Sequence, residues 1–564
     1  MLRSTLRAAL LVSAASIAFS NVSLAQTDTT ATSTPAKHRH HAATTGSDRL
    51  DLLERRLEQQ AEEIHQQAGE IQALKTQVGA APAAAAPAQV TADQFQALQS
   101  EVHEQAAVEK KQAVVSFTPQ TPFQHQKSQP TISSRDGRWT FSPVIMVQGD
   151  YASYSKGQPL SVPGTDNLKS AGENIRRARI GFQGIFDKDF GYAFIYDFGG
   201  SNGDESYQAY AGAHSGGSVY TASTGVGTGP HIYAGWVSYK GFLDPVTFRV
   251  GIMSPPANLG DATQSDDLLF NERPSPSQIS RALDADEGRQ AVGFLGNGAI
   301  WNASLFLTGD TYGKAALIAP QTTYGGGQEA VVGRVAIAPW QDPSTNFNIH
   351  LGGNFGYVIH PQEATSTSSP YTTTYGISFS DRPELRVDNV TFLNTGTINA
   401  TSAYSAGVEG AVSWGPLLLQ GENFWYGVER NNPAVGVTNP SFSGWYVEGS
   451  WVITGEGHQY NMANAAFARP SPANPFDPSN GDWGAWEIAG RYSSTDLDYH
   501  IGSAVSSDRI FGGVQNIWSA GLNFYPNDIL RFMLDFQHVQ LANIGSLGDN
   551  GQYDTISIRT QVSF

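Results

Sequence analysis

Residues 555–564 read TISIRTQVSF, and in this stretch apolar or β-branched residues alternate with polar ones. Successive side chains of a β-strand point to opposite faces. Ile556 and Ile558 therefore share one face, and Ser557 and Arg559 share the other. A strand that is apolar on one face and polar on the other is typical of a membrane-spanning barrel. The last strand of a soluble sandwich is the alternative.

The same two-residue period begins near Trp139 and continues to Phe564. It predicts an all-β membrane barrel over residues 139–564, with about sixteen antiparallel strands. The predicted strands are Trp139–Tyr151, Arg176–Phe186, Tyr192–Phe198, Ile232–Lys240, Val246–Ile252, Arg289–Leu295, Ile300–Thr308, Glu329–Ala338, Phe347–Tyr357, Tyr404–Trp414, Leu417–Tyr426, Phe442–Thr454, Ala485–Ser493, Asn516–Tyr525, Ile529–Val539 and Tyr553–Phe564.

The connections between these strands alternate in length. Short turns such as Asp187-Lys188-Asp189, Asp244-Pro245 and Pro526-Asn527-Asp528 alternate with long polar loops. Short turns at one end and long loops at the other are typical of outer-membrane barrels.

The first residues predict a secretory signal peptide over 1–25. Arg3 and Arg7 precede an apolar run, Ala8–Phe19, and the small residues of Ser23-Leu24-Ala25 form a cleavage site. An uncleaved anchor is the weaker alternative, because a spanning helix needs about 20 apolar residues. Residues 26–48 are polar and are predicted to be a disordered spacer. Their histidine cluster, His38–His41, is interpreted as solvated rather than metal-binding.

Residues 49–112 predict an N-terminal α-helical coiled coil. Its heptads place apolar residues at every seventh position, namely Leu50, Leu57, Ile64, Ile71 and Val78. An Ala/Pro break follows at 79–88, and residues 113–138 are predicted to be a Pro/Gln/Ser-rich linker. The alternative for the heptads is an amphipathic helix lying on its own domain.

Composition narrows the function classes. The formal net charge of -17 argues against nucleic-acid binding, and zero cysteines leave neither disulfides nor thiolate metal sites. The sequence predicts no cofactor. Five histidines of the barrel region, His231, His350, His458, His500 and His538, lack a nucleophile motif such as G-x-S-x-G, so an enzyme is not expected. The acidic stretch 284–288 lacks the full pattern of a Ca²⁺ loop.

Arginines recur on the inner parity of the predicted strands. A guanidinium facing the bilayer midplane costs about 2–4 kcal/mol, which forces these side chains inward. The candidate pore-lining residues are Arg176, at a strand edge, with Arg177, Arg179, Arg249, Arg334, Arg491, Arg531 and Arg559. Two interpretations stay open. The arginines pair with inward acids such as Asp197, Glu487 and Asp535 and brace the wall, or they form a ladder that favours anions.

A long connection over about 253–289 follows the fifth predicted strand. A loop of this length is expected to fold into the lumen as a constriction, and an extracellular flap is the alternative. Its charged residues include Asp261, Asp266, Asp267, Glu272, Arg273, Arg281 and Arg289.

These pieces resemble the phosphate-selective porin O/P family. The matching stretches include Ile175–Gly181, Tyr196-Asp197-Phe198, Arg249-Val250-Gly251, Phe270–Arg273 and Glu487–Tyr492, followed by the closing strand. The resemblance implies a homotrimeric sixteen-stranded channel in the outer membrane of a Gram-negative bacterium. It also implies a constricting loop inside the barrel and arginines that guide anions such as phosphate or polyphosphate.

One feature departs from that family. Members selective for phosphate place a lysine in the constricting loop, whereas Gly241–Gly313 contains none. The solute therefore stays open between anions and small polar molecules in general. An alternative function is a weakly selective porin whose periplasmic coiled coil tethers the outer membrane, and its lipid, to the cell wall.

Overall fold

The computed structural model describes residues 113–116, 130–156, 168, 170–199, 231–311, 327–365, 373–388, 390–544 and 549–564. These residues belong to one compact unit, Leu98–Phe564. The predicted signal peptide, the spacer, the heptads and the Ala/Pro break lie outside the described residues.

Sixteen long antiparallel strands form a closed barrel, as the two-residue period predicts. The last strand pairs with the first, with Ile558 opposite Tyr151, so the wall has no gap. The barrel strands are β3 (Thr140–Lys156), β4 (Ala171–Phe186), β5 (Phe190–Asp197), β6 (His231–Leu243), β7 (Val246–Met253), β8 (Arg289–Asn297), β9 (Trp301–Thr311), β10 (Glu329–Asp342), β11 (Phe347–His360), β16 (Ile398–Trp414), β17 (Leu417–Arg430), β18 (Ser441–Val452), β21 (Ala485–Tyr499), β22 (Ile510–Tyr525), β23 (Leu530–Ile544) and β24 (Asp549–Ser563).

Each barrel strand corresponds to one predicted strand, and the ends differ by a few residues. The largest extensions lie at the long-loop end: β16 begins at Ile398 instead of Tyr404, and β22 begins at Ile510 instead of Asn516. After Ile398 the residues added to β16 are polar or small, and those added to β22 contain Gly512 and Gly513, which interrupt the hydrophobic alternation.

The closing strand shows the two faces of the wall. Ile556 and Ile558 are 53% and 47% exposed, whereas Ser557 and Arg559 are 1% exposed. Large aromatic side chains project outward near the short turns, among them Trp139, Trp340 and Trp414. Aromatic residues at this level are typical of a membrane interface.

Short strands supplement the barrel. They are β1 (Ala113–Ser116), β2 (Thr131–Ser134), β12 (Gln362–Thr365), β13 (Thr373–Ile377), β14 (Ser380–Asp381), β15 (Leu393–Asn394), β19 (Gln459–Asn461) and β20 (Ala466–Ala468). Part of the predicted linker is therefore paired: β2 adds to β3 with Ile132 opposite Phe141, and β1 pairs with β2. Strands of four residues are too short to give a readable period.

One connection breaks the alternation of turn lengths. Residues 453–484 join β18 to β21 at the short-turn end, where the other connections are only a few residues long. This segment carries β19 and β20. Of the helices in the described ranges, none has the length and apolar character of a membrane-spanning helix.

Candidate functional site in the barrel lumen

The connection between β7 and β8 turns into the barrel, and we call residues 254–288 the loop segment. It contains two helices, α1 (Leu259–Ala262) and α2 (Ser275–Asp284). Asn258 caps α1, since its side chain accepts a hydrogen bond from the Asp261 N–H at 2.8 Å. Proline at the start of α2 has the fixed φ that suits a first helical turn.

The wall strand β17 holds the beginning of both helices. The Glu422 carboxylate accepts hydrogen bonds from the N–H groups of Leu259 and Gly260 at 3.0 and 2.8 Å. The Tyr426 hydroxyl donates to the Pro276 carbonyl at 2.6 Å. A carboxylate at a helix N-terminus satisfies N–H groups that have no partner within the helix.

The middle of the loop segment is bound to the wall formed by β22, β23 and β24. The Asn271 N–H donates to Asp535 at 2.8 Å, the Asn523 amide donates to the Leu269 carbonyl at 3.1 Å, and the Gln561 amide donates to the Asp266 carbonyl at 3.0 Å. The loop segment therefore runs across the lumen and is fastened on more than one side.

Three glycines of the wall leave room for this segment. A Cβ on Gly444 would lie 2.8 Å from Pro276 Cβ, and one on Gly521 would lie 3.1 Å from the Phe270 ring. At Gly356 the space of a Cβ is taken by the Asp284 carboxylate. The chain thus uses glycine where α2 and its flanks approach the strands most closely.

Glu272 is the centre of a buried charge cluster. It pairs with Arg176 at 2.6 Å, with Arg559 at 3.0 Å and with Arg177 at 3.7 Å. Arg559 is shared with Asp150 at 2.6 Å. Burial raises the pKa of Glu272, but the charges of Arg176, Arg177 and Arg559 outweigh burial and hold that pKa well below its usual range.

Arg176 reaches this cluster through a β-bulge. Arg177 pairs with Gln148 and Ile175 with Gly149, so Arg176 is the extra residue between them. A bulge re-aims a side chain and breaks strict alternation. The placement of Arg176 at a strand edge is corrected accordingly: it lies within β4 and projects inward beside Arg177.

A second charge cluster joins the end of the loop segment to β4. Arg281 pairs with Asp261, with Asp286 at 2.6 Å and with Glu287 at 3.1 Å. Glu287 also pairs with Arg179 at 3.1 Å. The acids of the stretch 284–288 thus include two that bind arginine.

The other candidate arginines also lie on the inner side of the wall. Arg334 pairs with Glu409 at 2.7 Å, and Arg491 pairs with Glu384 at 2.6 Å. Arg531 donates to the Asp266 carbonyl at 3.2 Å, and Arg249 lies over the Trp236 ring at 4.1 Å. Of the three acids expected as partners, Asp197 pairs with Arg179 at 2.8 Å, Glu487 pairs with His458 at 2.6 Å, and Asp535 accepts a hydrogen bond from the Asn271 N–H at 2.8 Å.

The remaining charged residues of the loop segment and its edge are buried as well. Arg273 donates to the carbonyls of Gly260 and Thr263 at 2.7 and 3.0 Å. Arg289 donates to the Gly309 carbonyl at 2.9 Å, and Asp267 accepts from the Arg469 N–H at 3.3 Å.

Two further segments enter the lumen, and sequence reasoning missed both. Residues 378–395 bring Glu384, which accepts from the Ser275 N–H at 2.8 Å. From the short-turn end, residues 453–484 bring Asn464 and Ala465, whose carbonyls accept from Arg334 at 2.8 Å. The unusual length of 453–484 between two strong strands was the available signal for the second segment.

The family profile described as "Phosphate-selective porin O and P" matches residues 147–564, and the chain belongs to this family. Its barrel is that of an outer-membrane porin. Porin O of Pseudomonas aeruginosa is 23% identical over 393 residues, which cover 66% of this chain and 84% of that protein. An uncharacterized protein of Caulobacter vibrioides is 28% identical over 165 residues, which cover 29% of this chain and 30% of that protein.

Solved structures with similar strand arrangements include an anion-selective porin from Comamonas acidovorans and the outer-membrane channel DcaP of Acinetobacter baumannii. The first has a TM-score of 0.42 at 10% identity and covers 76% of this chain and 100% of that one. The second has a TM-score of 0.39 at 11% identity and covers 77% and 99%.

Proposed function

We propose that the protein is a passive diffusion channel for small anionic solutes, phosphate or polyphosphate among them, and that arginines in the lumen guide the solute. One observation carries the proposal. A cavity beside the loop segment is lined by four arginines, Arg179, Arg249, Arg273 and Arg281, and by a single acidic residue, Asp261. Guanidinium groups along a pore favour anions over cations.

The four arginines differ in how their charge is used. Acids surround Arg179 and Arg281, which anchor the loop segment. Arg273 gives its N–H groups to two neutral carbonyls, and Arg249 lies over an aromatic ring. Since Arg249 and Arg273 line the cavity, we assign the guiding role to these two arginines and the bracing role to Arg179 and Arg281.

The test is the zero-current potential of the purified protein in planar bilayers under a KCl gradient. We expect chloride to be preferred over potassium, and Arg249→Gln to reduce that preference. Arg138→Gln is the matched control, because it removes the same charge from the exposed short-turn rim, where Arg138 pairs with Asp187. A wild-type channel that prefers potassium would overturn the proposal. The same measurement with a phosphate gradient in place of chloride tests which of the two anions the channel prefers.

The homotrimer and the tether to the cell wall remain part of the proposal. The heptads that motivate the tether, Leu50–Val78, lie outside the described residues. Deletion of Leu50–Val78 separates the two functions: lost envelope integrity with unchanged solute uptake supports the tether, and unchanged integrity contradicts it. Chemical cross-linking of the intact protein in membranes tests the trimer.

A further inference from the structure

The apolar residues of the inner wall fall into two groups. In four clusters they pack against apolar side chains of the inserted segments: Ile279 and Leu283 in the first, Leu385 and Val387 in the second, Phe270 in the third, and Ala257 and Ala285 in the fourth. Apolar surface inside a polar channel is removed from water by this packing. These clusters are explained by the fold.

Two further inner clusters contain residues of the wall strands alone within the described part of the chain, and one of these lies on β5 and β6. It comprises Ala193, Ile195 and Ala234, with Val144, Tyr233 and Trp236 against them. All six also line the cavity beside the loop segment, which has a volume of about 210 Å³. The interior of a porin is ordinarily polar, so an apolar patch that borders a cavity suits an apolar occupant.

The same cavity offers positive charge next to this patch. Arg249 and Arg273 line it, and the Arg249 guanidinium lies 4.1 Å from the centre of the Trp236 ring. A guanidinium donates a pair of parallel N–H groups that matches the two oxygens of a carboxylate. The volume is below the roughly 300–1,000 Å³ of pockets that hold drug-sized ligands, so the occupant is small.

We propose that this cavity binds a small amphipathic carboxylate, with its aromatic or branched aliphatic body against Ala193, Ile195 and Ala234 and its carboxylate toward Arg249 and Arg273. The inference rests on the proposed function, since such a solute has to enter the lumen. It deepens that function by naming a class of substrate whose apolar surface contributes to binding. Phosphate and chloride have no such surface.

The experiment is block of the KCl current through the wild-type channel by benzoate, acetate or phosphate. We expect the half-blocking concentration of benzoate to be about tenfold lower than that of acetate, because the phenyl ring of benzoate buries more apolar surface than the methyl group of acetate. Benzoate that blocks no better than acetate or phosphate overturns the inference. This comparison needs no variant and is independent of variant folding.

A matched pair of variants locates the site. Ile195→Thr places a hydroxyl in the apolar patch, and we expect it to raise the half-blocking concentration of benzoate severalfold while leaving that of acetate unchanged. Ile180→Thr makes the same change on the outer face of the neighbouring strand and is expected to leave both unchanged. If both variants raise the half-blocking concentration of benzoate equally, the binding site does not lie at the patch that contains Ile195.

The two proposals fail in different ways. A wild-type channel that prefers chloride but is blocked equally by benzoate and acetate retains the proposed function and loses this inference. A channel without chloride preference that benzoate still blocks selectively loses the proposed function and retains the site.

Discussion

Two apolar regions of the inner wall have opposite surroundings. On strands β10, β11 and β17, the patch of Ala330, Val358 and Phe424 lies under helix α2, whose Ile279 and Leu283 pack on it. On strands β5 and β6, the patch of Ala193, Ile195 and Ala234 borders a cavity. We call these the covered patch and the open patch.

The comparison shows that inward apolar side chains of the wall can have either a structural or a functional role. An inward apolar residue needs a partner that excludes water. At the covered patch the chain supplies that partner through α2, and the contact fixes the loop segment. At the open patch Ala193, Ile195 and Ala234 are also buried, but they border a cavity of about 210 Å³ to which a small solute could bind.

The covered patch depends on the loop segment staying in place, and Glu272 anchors that segment to three arginines of the wall. Glu272→Ala leaves Arg176, Arg177 and Arg559 buried without this carboxylate, and losing one partner of a buried ion pair costs about 3–5 kcal/mol. We expect a larger and noisier single-channel conductance, measured in planar bilayers. The control Asp187→Ala removes an exposed partner of Arg138 and is expected to leave the conductance unchanged. Unaltered conductance of Glu272→Ala would show that other contacts hold the segment.

Equivalent truncations compare the two patches directly. Ile279→Ala removes a fully covered side chain, so we expect a loss of about 2–5 kcal/mol in the stability of the docked loop segment. Ile195→Ala removes a side chain that already borders a cavity, so its cost is expected to be smaller. Protease susceptibility of the loop segment in detergent-solubilised protein measures the difference. Equal susceptibility of the two variants would abolish the distinction between the patches.

Replacing a glycine of the wall by a larger residue tests how closely α2 packs against the strands. In Gly444→Val the new side chain meets Pro276, and overpacking of this kind costs about 1–3 kcal/mol. We expect an intermediate increase in the same protease susceptibility. Gly490→Val is the control, because a Cβ at Gly490 meets no atom within 4 Å. If both variants behave as wild type, the glycines are not required for docking.

The smallest effect expected is that of a change of one pH unit, which acts at the end of α2. Burial raises the pKa of Asp284 to about 8, with the nearby Arg289 opposing and Asp261 adding to the rise. Docking of α2 is therefore strongest below the pKa of an exposed Asp, about 3.9, and weakens as the pH rises toward 8. The loss is on the order of 1 kcal/mol per pH unit in that window.

Conductance noise recorded from pH 5 to pH 8 measures this dependence. We expect wild-type noise to increase with pH, and Asp284→Asn to remove most of that increase because an amide does not ionise. An identical pH profile for the variant would assign the dependence to other groups.

The strands and the inward parity of the arginines could be read from local pattern. Alternation within β24 places Arg559 on the polar face, and the same reasoning applies to Arg334 and Arg491. A lipid face and a polar lumen impose a period of two that each strand carries in its own residues. The strand count and the closed barrel followed from this period.

The bulge at Arg176 and the inserted segments could not be read in that way. The bulge is defined by the pairing of β3 with β4, and the sequence of β4 alone does not show which residue has no partner on β3. Residues 378–395 and 453–484 have no clear period, and their positions depend on partners far along the chain, such as Arg334 for Ala465.

Alternating polarity in the sequence was enough to predict a barrel in lipid. Each strand has one face toward lipid and one toward the polar lumen, so each strand carries the pattern in its own residues. The roles of the inner side chains were specified only by folding. Glu272 and Arg559 are hundreds of positions apart, and so are Asp150 and Arg559, yet the closed wall brings them into contact. Whether an inward apolar residue is covered by α2 or left beside a cavity depends on such long-range placement, which has no local signature.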